Sequence, residues 1–533
     1  MSVPNSKIYF CSDVYLNPSY NNTIFFESAE AQRTYFSGKV VNTFSDYTYL
    51  RKNKSIKIQC AMDTANTFSY LFFDNHSSGY TKTYYYFVTD VQYINDTTSE
   101  IFIELDVMQT YAFNYWLRPC FVEREHSATD TVGENVLDEG LDLGQIVVNS
   151  KTEMTDIDDL CVLILSNVNL IEATETLRTS EWGGLIGGVY SGADLYAVGS
   201  EDWLDLSQKL AEFDQWGYSE GILAMWMYPK ALVKLANDQE WGADDPIKSV
   251  SGVGRVETET VSKSFSDLDG YTPKNNKLFT YPYNFLYVSN NLGGACAYHF
   301  ERFYNEGSAT INNANFRIYG SMSPDGVAKL VPMYYDGVEE NFEEGLTLSG
   351  FPTCAWNQDV YKLWLAQNQN SHTLKIATGV LSIVGGGVAL ATGVGTSVGV
   401  TGITAGVGMI ASHLAAKQDK AIQPEQAKGN FSGSLNISAG VQHFTAYRKS
   451  VNAETARIID NYFSMFGYKT NRVKIPNRDV RENWTYTKTV DCTVYGNLPK
   501  ADIQKIESVF NHGITFWKNG DQIGNYNLSN NCL

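Results

Sequence analysis

The sequence predicts an α+β fold that is dominated by β-strands and interrupted late in the chain by one long apolar segment. Strands are predicted because most apolar and aromatic residues fall in short alternating or β-branched runs between Gly, Asn and Pro. Helices are predicted only at the few places where apolar residues recur every three or four positions. The apolar segment is Ile376–Ala416, a run of 41 residues without Asp, Glu, Lys or Arg.

The first 145 residues are predicted to be mainly strands. Tyr84–Ile94 is aromatic and β-branched, and a second run, from Ile101 to Val107, alternates apolar with polar or aromatic residues. The intervening Asn95–Glu100 is rich in turn residues, so the two runs predict a hairpin.

The centre, from about Val147 to Trp356, mixes both kinds of element. Leu160–Leu165 is predicted to be a buried strand, and Gly252–Phe351 a series of short strands with Gly, Asn and Pro turns. A helix is predicted over Asp202–Trp216, ended by Gly217. Its apolar stripe comprises Trp203, Leu206, Leu210 and Phe213.

The C-terminal part, from Phe431, is predicted to begin with strands and to continue with two helices. The first helix spans about Ala453–Phe466, and the second follows Pro499 and ends at Gly513. The residues predicted to face the core are Ile458, Ile459, Tyr462, Phe463 and Phe466 in the first helix, and Ile503, Ile506, Val509 and Phe510 in the second.

The apolar block Ile376–Ala416 is the most informative part of the chain. A membrane-spanning helix needs about 20 apolar residues, so the block has the length of two spans joined at Gly393–Gly399, or of one extended loop. Lys375 and Lys417 flank it. The candidate membrane-insertion residues are its large aliphatic side chains: Ile376, Val380, Leu381, Ile383, Val384, Val388, Leu390, Val394, Val398, Val400, Ile403, Val407, Met409, Ile410 and Leu414.

The glycine content of the block argues against a permanent membrane anchor. Ten Gly lie in it, and each costs about 1 kcal/mol relative to Ala inside a helix. This composition favours a segment that changes state at a bilayer, although a buried helical hairpin in a soluble core stays open as the alternative. Helical spacing at Val360, Leu363 and Trp364, and the Ala- and Lys-rich run 415–428, predict two helical stems beside the block.

Charge and cysteine usage exclude several classes of function. The net charge of −19 is wrong for a protein that binds nucleic acid tightly, but it suits a surface that DNA must pass without sticking. The N-terminus lacks the basic stretch and apolar run of a secretory signal. The eight Cys are scattered without any C-x-x-C pair, which predicts free buried thiols and no zinc site.

No catalytic or cofactor motif stands out, and we expect neither an enzyme nor a bound cofactor. The sequence lacks H-E-x-x-H, G-x-S-x-G, a P-loop and a dinucleotide fingerprint, and it holds only an EF-hand fragment at Asp267–Gly270. The acidic cluster 339–344 is interpreted as a solvated turn. His126 follows Arg124 and Glu125, which favours a structural ion pair or hydrogen bond over catalysis.

Seven runs in the N- and C-terminal parts are specific as an ordered set. They are Glu104–Thr110, Val122–His126, Asp138–Gly144, Gly467–Pro476, Asp491-Cys492, Asn511–Trp517 and Ile523–Tyr526. In order and spacing these runs resemble one known family, the tail knob or distal tail tube proteins of small short-tailed bacteriophages (podoviruses) that infect Gram-positive bacteria. The resemblance covers roughly the first 145 and the last 100 residues and is weak in the centre.

The resemblance implies a homohexameric tube that conducts double-stranded DNA at the tail tip of the virion. It implies β-barrel tube domains built from residues 1–145 and 429–533, a central knob domain at 146–365, and stems with a hydrophobic loop at 366–428. The loop would plug the channel and then insert in the host cytoplasmic membrane for genome ejection. Implied partners are upper tail or collar proteins, and assembly would take place in the host cytoplasm.

Two other functions remain open at this level. A cellular protein anchored by an apolar hairpin would also place Lys375 and Lys417 on one side of a membrane. A cell-wall-degrading enzyme of the same virion is the other.

Overall fold

The computed structural model describes residues 7–45, 54–77, 80–171, 192–202, 221–243, 245–257, 260–304, 313–321, 326–336, 345–349 and 443–533, with isolated positions between 185 and 216 and at 351. The chain forms two compact units. Unit 1 comprises Met1–Gln145, Gly270–Tyr283 and Val451–Leu533, and unit 2 comprises Ile146–Asp269 and Asn284–Ser450.

The elements of the N-terminal part all belong to unit 1. Its strands are β1 (Lys7–Cys11), β2 (Asn22–Ile24), β3 (Val40–Ser45), β4 (Ser55–Ile58), β5 (Tyr70–Ser77), β6 (Tyr80–Asn95), β7 (Thr98–Leu105), β8 (Tyr115–Leu117) and β9 (Cys120–Glu125). Its helices are α1 (Ala29–Gly38), α2 (Met62–Ala65) and α3 (Val107–Thr110).

The central strands belong to unit 2. They are β10 (Ile146–Met154), β11 (Leu160–Ser166), β12 (Leu185–Ile186), β13 (Val189–Tyr190), β14 (Asp194–Val198), β15 (Ile222–Pro229), β16 (Val233–Leu235), β17 (Lys248–Val253), β18 (Arg255–Glu257), β19 (Val261–Ser262), β20 (Asn284–Ser289), β21 (Ala295–Tyr298), β22 (Asn313–Gly320), β23 (Ala328–Met333), β24 (Leu346–Leu348) and β25 (Phe444–Val451).

The C-terminal elements return to unit 1. They are α4 (Ala453–Phe466), β26 (Tyr468–Lys474), β27 (Trp484–Val490), β28 (Val494–Gly496), α5 (Lys500–His512) and β29 (Ile514–Trp517). Short 3-10 turns lie at Thr155–Ile157, Ser200–Asp202, Lys230–Leu232, Asn276–Phe279, Phe300–Arg302 and Gly520–Gln522.

Unit 1 is built on a six-stranded sheet with the order β3-β1-β5-β6-β7-β4, which curves into a half-barrel. Alternate side chains of each strand enter different cores, because successive residues point to opposite faces. In β5, Leu71 and Phe73 pack in the cluster on one face. Tyr70 and Phe72 pack in the cluster on the other, together with Phe36 of α1 and residues of α5. Both faces of this sheet are therefore buried.

A second sheet joins the two ends of the chain within unit 1. Its order is β2-β29-β27-β9-β26, so the N-terminal strand β9 lies between two C-terminal strands. Strand β2 pairs in parallel with β29, with Asn22 opposite Thr515. The N- and C-terminal parts therefore form one folded unit rather than two.

Unit 2 contains one large hydrophobic cluster lined by several sheets. The main ones have the orders β15-β11-β14-β17-β16, β10-β25-β20-β21 and β18-β22-β23-β24, with β19 also paired to β22. Strand β11 lies at the centre of this core. Its first five residues, Leu160–Ile164, are all buried, and the strand pairs with β14 on one side and β15 on the other. The described residues as a whole are rich in strands and contain few helices, as predicted.

Several local predictions are confirmed. Strands β6 and β7 form the predicted hairpin, with Asn95 opposite Thr98. Leu160–Leu165 lies in β11. Helix α4 spans Ala453–Phe466 as predicted, because Asn452 caps its N-terminus and Gly467 ends it at a φ of 64°.

Other predictions need correction. The second run of the hairpin ends at Leu105 rather than Val107, because Asp106 turns the chain into α3. Ile458 was predicted to face the core but is 61% exposed, and the buried polar residue on that helix is Asp460. Of the helix predicted over Asp202–Trp216, Trp203 and Leu210 lie outside the described residues, whereas Leu206 and Phe213 are buried.

The described cysteines are free thiols, as predicted. Cys11, Cys60, Cys120, Cys161 and Cys492 are buried, and Cys296 and Cys532 are partly exposed. Cys354 lies outside the described residues.

Candidate functional site

The apolar block Ile376–Ala416 lies outside the described residues, together with its flanking Lys375 and Lys417 and the predicted stems. The same holds for every candidate membrane-insertion residue and for the acidic cluster at 339–344. Within the described part of the chain, no helix is long and apolar enough to cross a membrane. What the structure describes are the two nearest sites on either side of the block, one that ends at Phe351 and one that begins at His443.

Both of these sites lie in the core of unit 2, and we call them the roots of the block. The upstream root is β24 with Phe351, and the downstream root is His443 with Phe444. Leu346, Leu348, Phe351 and Phe444 are all buried in one hydrophobic cluster of the described part of this unit. The Phe351 ring also packs edge-on against Tyr228, with the centroids 5.4 Å apart. Both roots are therefore fixed in one core.

Two consecutive asparagines in the turn after β20 tie the roots together. Asn290 Nδ2 donates to the Thr347 carbonyl of the upstream root at 2.7 Å. Asn291 Nδ2 donates to the His443 carbonyl of the downstream root at 2.8 Å, and to Thr445 Oγ1 at 3.0 Å. Asn291 adopts a φ of 56°, a left-handed conformation that Asn tolerates better than most residues. The turn thus holds Thr347 of the upstream root and His443 of the downstream root at neighbouring positions.

A hydrogen bond adds to the downstream root. His443 Nδ1 lies 3.1 Å from Asp158 Oδ1, and His443 is buried. Burial raises the pKa of the Asp158 carboxyl, and the hydrogen bond to His443 acts in the opposite direction. The contact joins the downstream root to the segment before β11, and no local pattern in the sequence predicted it.

The motif Glu104–Thr110 is a buried hydrogen-bonding centre of unit 1. Asp106 caps α3, since its Oδ1 accepts from the Met108 and Gln109 amides at 3.0 and 3.1 Å. Its other oxygen accepts from Tyr70 Oη at 2.8 Å. Burial raises the pKa of Asp106 to about 6. Its role is therefore to join a helix start to a core strand.

Gln109 of the same motif connects two further segments. Gln109 Nε2 donates to the Ile24 carbonyl at 2.8 Å and to Thr23 Oγ1 at 2.9 Å. Gln109 Oε1 accepts from Gln32 Nε2 at 2.8 Å. These contacts satisfy the edge of β2 and hold α1, so the motif has a structural role.

A second motif-based site surrounds Glu139, whose side chain is fully buried. It forms ion pairs with Arg124 and with the buried Lys277. Its Oε1 also accepts from the Lys469 amide at 3.0 Å. The four residues of this cluster come from four segments of unit 1, which the cluster therefore holds together. Removing one partner of such a buried ion pair would leave a buried charge without compensation.

Sequence reasoning missed the segment Gly270–Tyr283, which packs in unit 1 although it lies between strands of unit 2. Asp460 of α4 is fully buried and holds this segment. It accepts from Tyr271 Oη and the Lys274 amide at 2.8 Å, and from the Asn275 amide and Nδ2 at 3.0 and 2.8 Å. An acidic residue on an amphipathic helix normally faces solvent, so this role of Asp460 was not predictable from the helical pattern.

His126 has the structural role that was predicted, through hydrogen bonds. Its Nδ1 accepts from the Tyr486 amide at 2.8 Å, and Nε2 then donates to the Ser464 carbonyl at 3.2 Å. Burial lowers the pKa of His126 to about 3, so the ring is neutral at physiological pH. Among the described residues, no three His, Cys, Asp or Glu side chains are grouped so as to hold a metal.

The fold matches that of a phage tail protein. The structure of the tail knob protein gp12 of bacteriophage C1 superimposes with a TM-score of 0.69, covering 99% of this chain and 100% of that chain at 15% identity. A family model described as the N-terminus of a caudoviral major tail protein matches residues 4–115. The chain therefore has the fold of a phage tail knob protein.

The family follows from a second, longer match. The model described as Bacillus phage phi29, tail knob protein gp9, C-terminal domain, matches residues 248–531, more than half of the chain, which therefore belongs to that family. The chain is 27% identical to tail knob protein gp9 of Bacillus phage PZA and 26% identical to that of Bacillus phage phi29, with 98% of both chains covered in each case.

Proposed function

We propose that six copies of this chain form a tube at the tail tip that conducts double-stranded DNA. In this proposal the block Ile376–Ala416 plugs the channel and later inserts in the host cytoplasmic membrane for genome ejection. The chain would assemble in the host cytoplasm against upper tail or collar proteins. The number six comes from the family resemblance.

The observation that carries the proposal is the position of the roots. Phe351 and Phe444 are both buried in the hydrophobic cluster of unit 2, and Asn290 and Asn291 bind the two roots together. A chain anchored in this way can extend a long insertion without disturbing its core. A charge-free segment of this length needs shelter from water, and an enclosed channel supplies it.

The charge of the chain supports a conduit for DNA. A net charge of −19 per subunit would repel a polyanion from most of the wall, so DNA could pass without being held. Proteins that bind DNA tightly instead neutralise phosphates with Lys and Arg.

The energetics favour membrane insertion once the block is released. Burying each CH₂ is worth about 0.8 kcal/mol, and the block carries fifteen large aliphatic side chains. Its backbone would have to satisfy its own hydrogen bonds in lipid, which requires helix formation or closure into a barrel.

The decisive experiment compares dye leakage from liposomes. Purified full-length protein should cause leakage once the block has been released at low pH, and a variant that lacks residues 376–416 should not. A second variant, Val384→Lys with Val407→Lys, keeps the length of the block and places one charge near the middle of each predicted span. Each Lys costs about 3 kcal/mol at the centre of a membrane helix, so we expect at least tenfold less leakage. Equal leakage from all three proteins would refute insertion by the block.

The same preparations test the other proposals. The deletion variant should remain folded and oligomeric, because the roots stay bound by Asn290 and Asn291. Class averages should show sixfold symmetry around a channel. A full-length protein that stays in solution only with detergent would favour the anchored cellular protein, and release of fragments from peptidoglycan would favour the cell-wall-degrading enzyme.

A further inference from the structure

Two cysteines from distant parts of the sequence meet in the core of unit 1. Cys120 begins β9, and Cys492 lies in the short segment between β27 and β28. Both are buried in the same hydrophobic cluster. The two segments are neighbours throughout, since Phe121 lies opposite Val490 and Leu117 lies opposite Val494.

The backbone between the two strands explains why the thiols face each other. In a regular ladder, the register from Phe121–Val490 to Leu117–Val494 would place Cys120 opposite Asp491 and turn Cys492 to the other face. Asp491 instead adopts a φ of 54° and interrupts the ladder, which brings Cys492 into the same core as Cys120.

The interruption is held in place by a residue of α5. Asn511 Oδ1 accepts from the Cys492 amide at 3.0 Å and from Thr489 Oγ1 at 2.9 Å. The position of Cys492 is therefore fixed by two hydrogen bonds on either side of the irregular residue. This arrangement is a built feature of the core rather than a chance approach of two side chains.

We propose that Cys120 and Cys492 form a redox modification site at which a peroxide converts the two thiols to a disulfide. One of the two thiolates attacks an oxygen of hydrogen peroxide, the O–O bond breaks, and after uptake of a proton a sulfenic acid and a molecule of water result. The other thiol then attacks the sulfenic sulfur, forms the S–S bond and releases a second water. Two electrons pass from the two sulfurs to the peroxide, so the reaction balances.

The surroundings of the pair set the conditions for oxidation. Burial raises the pKa of both thiols, to about 12 for Cys492. Because the thiolate is the nucleophile, the raised pKa values keep the pair reduced in a thiol-rich cytosol. Oxidation would follow in an oxidising medium.

The disulfide would join the first and last parts of unit 1 and close a loop that contains all of unit 2. Long closed loops give the largest loss of entropy in the unfolded chain, so the bond would stabilise the tail tip outside the cell. This inference does not depend on the proposed membrane function.

Peptide mapping of the full-length protein after titration with hydrogen peroxide tests the proposal. We expect a cross-linked peptide that joins Cys120 to Cys492, and a rise of about 5 °C in the unfolding temperature that a reductant reverses. Cys532, which is partly exposed, serves as the comparison: Cys532→Ser should leave the cross-link unchanged.

A reagent that traps sulfenic acids tests the first step. In Cys492→Ser no partner thiol remains to form the disulfide, so trapped Cys120 should accumulate at least fivefold above its level in the wild type. Wild-type protein that keeps both thiols while Cys532 is oxidised would overturn the site.

Discussion

The two units bury different chemistry, although both are built mainly from strands. In unit 1 the buried ionisable residues include Asp106, Glu125, His126, Lys277, Asp460, Arg481 and Asp502. In the described part of unit 2 the corresponding residues are Lys248 and His443. Unit 2 is instead organised around one large apolar cluster that extends from Met154 to Ala446.

This difference explains where the recognisable sequence motifs lie. Every run that carries the family resemblance falls in unit 1, from Glu104–Thr110 to Ile523–Tyr526. A buried carboxylate such as Asp106 requires particular donors at particular positions. An apolar core accepts many different apolar residues of similar volume, so its sequence is less specific and harder to recognise.

The largest loss of stability that distinguishes the polar core of unit 1 from the apolar core of unit 2 is expected on substitution of Asp460. Asp460→Asn keeps the volume of the side chain but places an NH₂ group where an oxygen accepts from the segment Gly270–Tyr283. Breaking such a buried charged network costs about 4 kcal/mol. Urea unfolding of the two proteins measures the difference in unfolding free energy.

The matched control lies in the core of unit 2. Leu330 is fully buried there, and Leu330→Met also conserves volume. We expect it to cost less than about 1.5 kcal/mol. If the Leu330 variant lost as much stability as the Asp460 variant, the contrast between polar and apolar cores would be wrong.

The next effect concerns Gly467, which starts the motif after α4. It adopts a φ of 64°, and a Cβ atom built there would lie 2.2 Å from the Glu125 carbonyl oxygen. Gly467→Ala is therefore strained in both conformation and contact, and we expect a loss of about 3 kcal/mol.

Gly524 separates the two causes of this loss. It lies in unit 1 with a φ of 87°, and nothing lies within 4 Å of an added Cβ. Gly524→Ala should cost about 1 kcal/mol, from backbone strain alone. Thermal unfolding of both variants gives the comparison, and equal losses would show that the close approach at Gly467 relaxes easily.

Local patterns determined much of the fold in advance. The hairpin of β6 and β7 and the bounds of α4 were predictable, because alternation and end-capping depend on residues near in sequence. Ile458 was misassigned because periodicity predicts which residues form an apolar stripe on the helix, but it does not predict which segment of the chain packs against the helix. On that helix, Asp460 faces the core since Gly270–Tyr283 packs against it.

The candidate site was predictable only in part for the same reason. The charge-free block is visible in composition alone. Its roots are not, because Asn290 and Asn291 bind Thr347 and the distant His443 through side-chain hydrogen bonds that no local pattern encodes. Asn is also common in ordinary turns, so these two residues carry no distinguishing signal.

The smallest expected effect on stability is a pH dependence that arises from two buried titratable residues of unit 1. Burial lowers the pKa of His126 from its ordinary 6.5 to about 3. Above pH 6.5 both folded and unfolded His126 are neutral. Below it only the unfolded state takes up the proton, so stability falls by about 2 kcal/mol between pH 7 and pH 5. Asp106 acts in the opposite direction, because burial raises its pKa to about 6 from the ordinary 3.8.

The folded state therefore protonates Asp106 first on acidification, which returns about 1 kcal/mol over the same range. Urea unfolding at pH 7, 6 and 5 should show a smaller loss for His126→Asn than for the wild type, and a larger loss for Asp106→Asn. The two variants differ from the wild type in opposite directions only if both groups titrate while buried in unit 1. If the stability of all three proteins changed with pH in parallel, solvent would reach His126 and Asp106 in the folded protein, and the polar core of unit 1 would be hydrated.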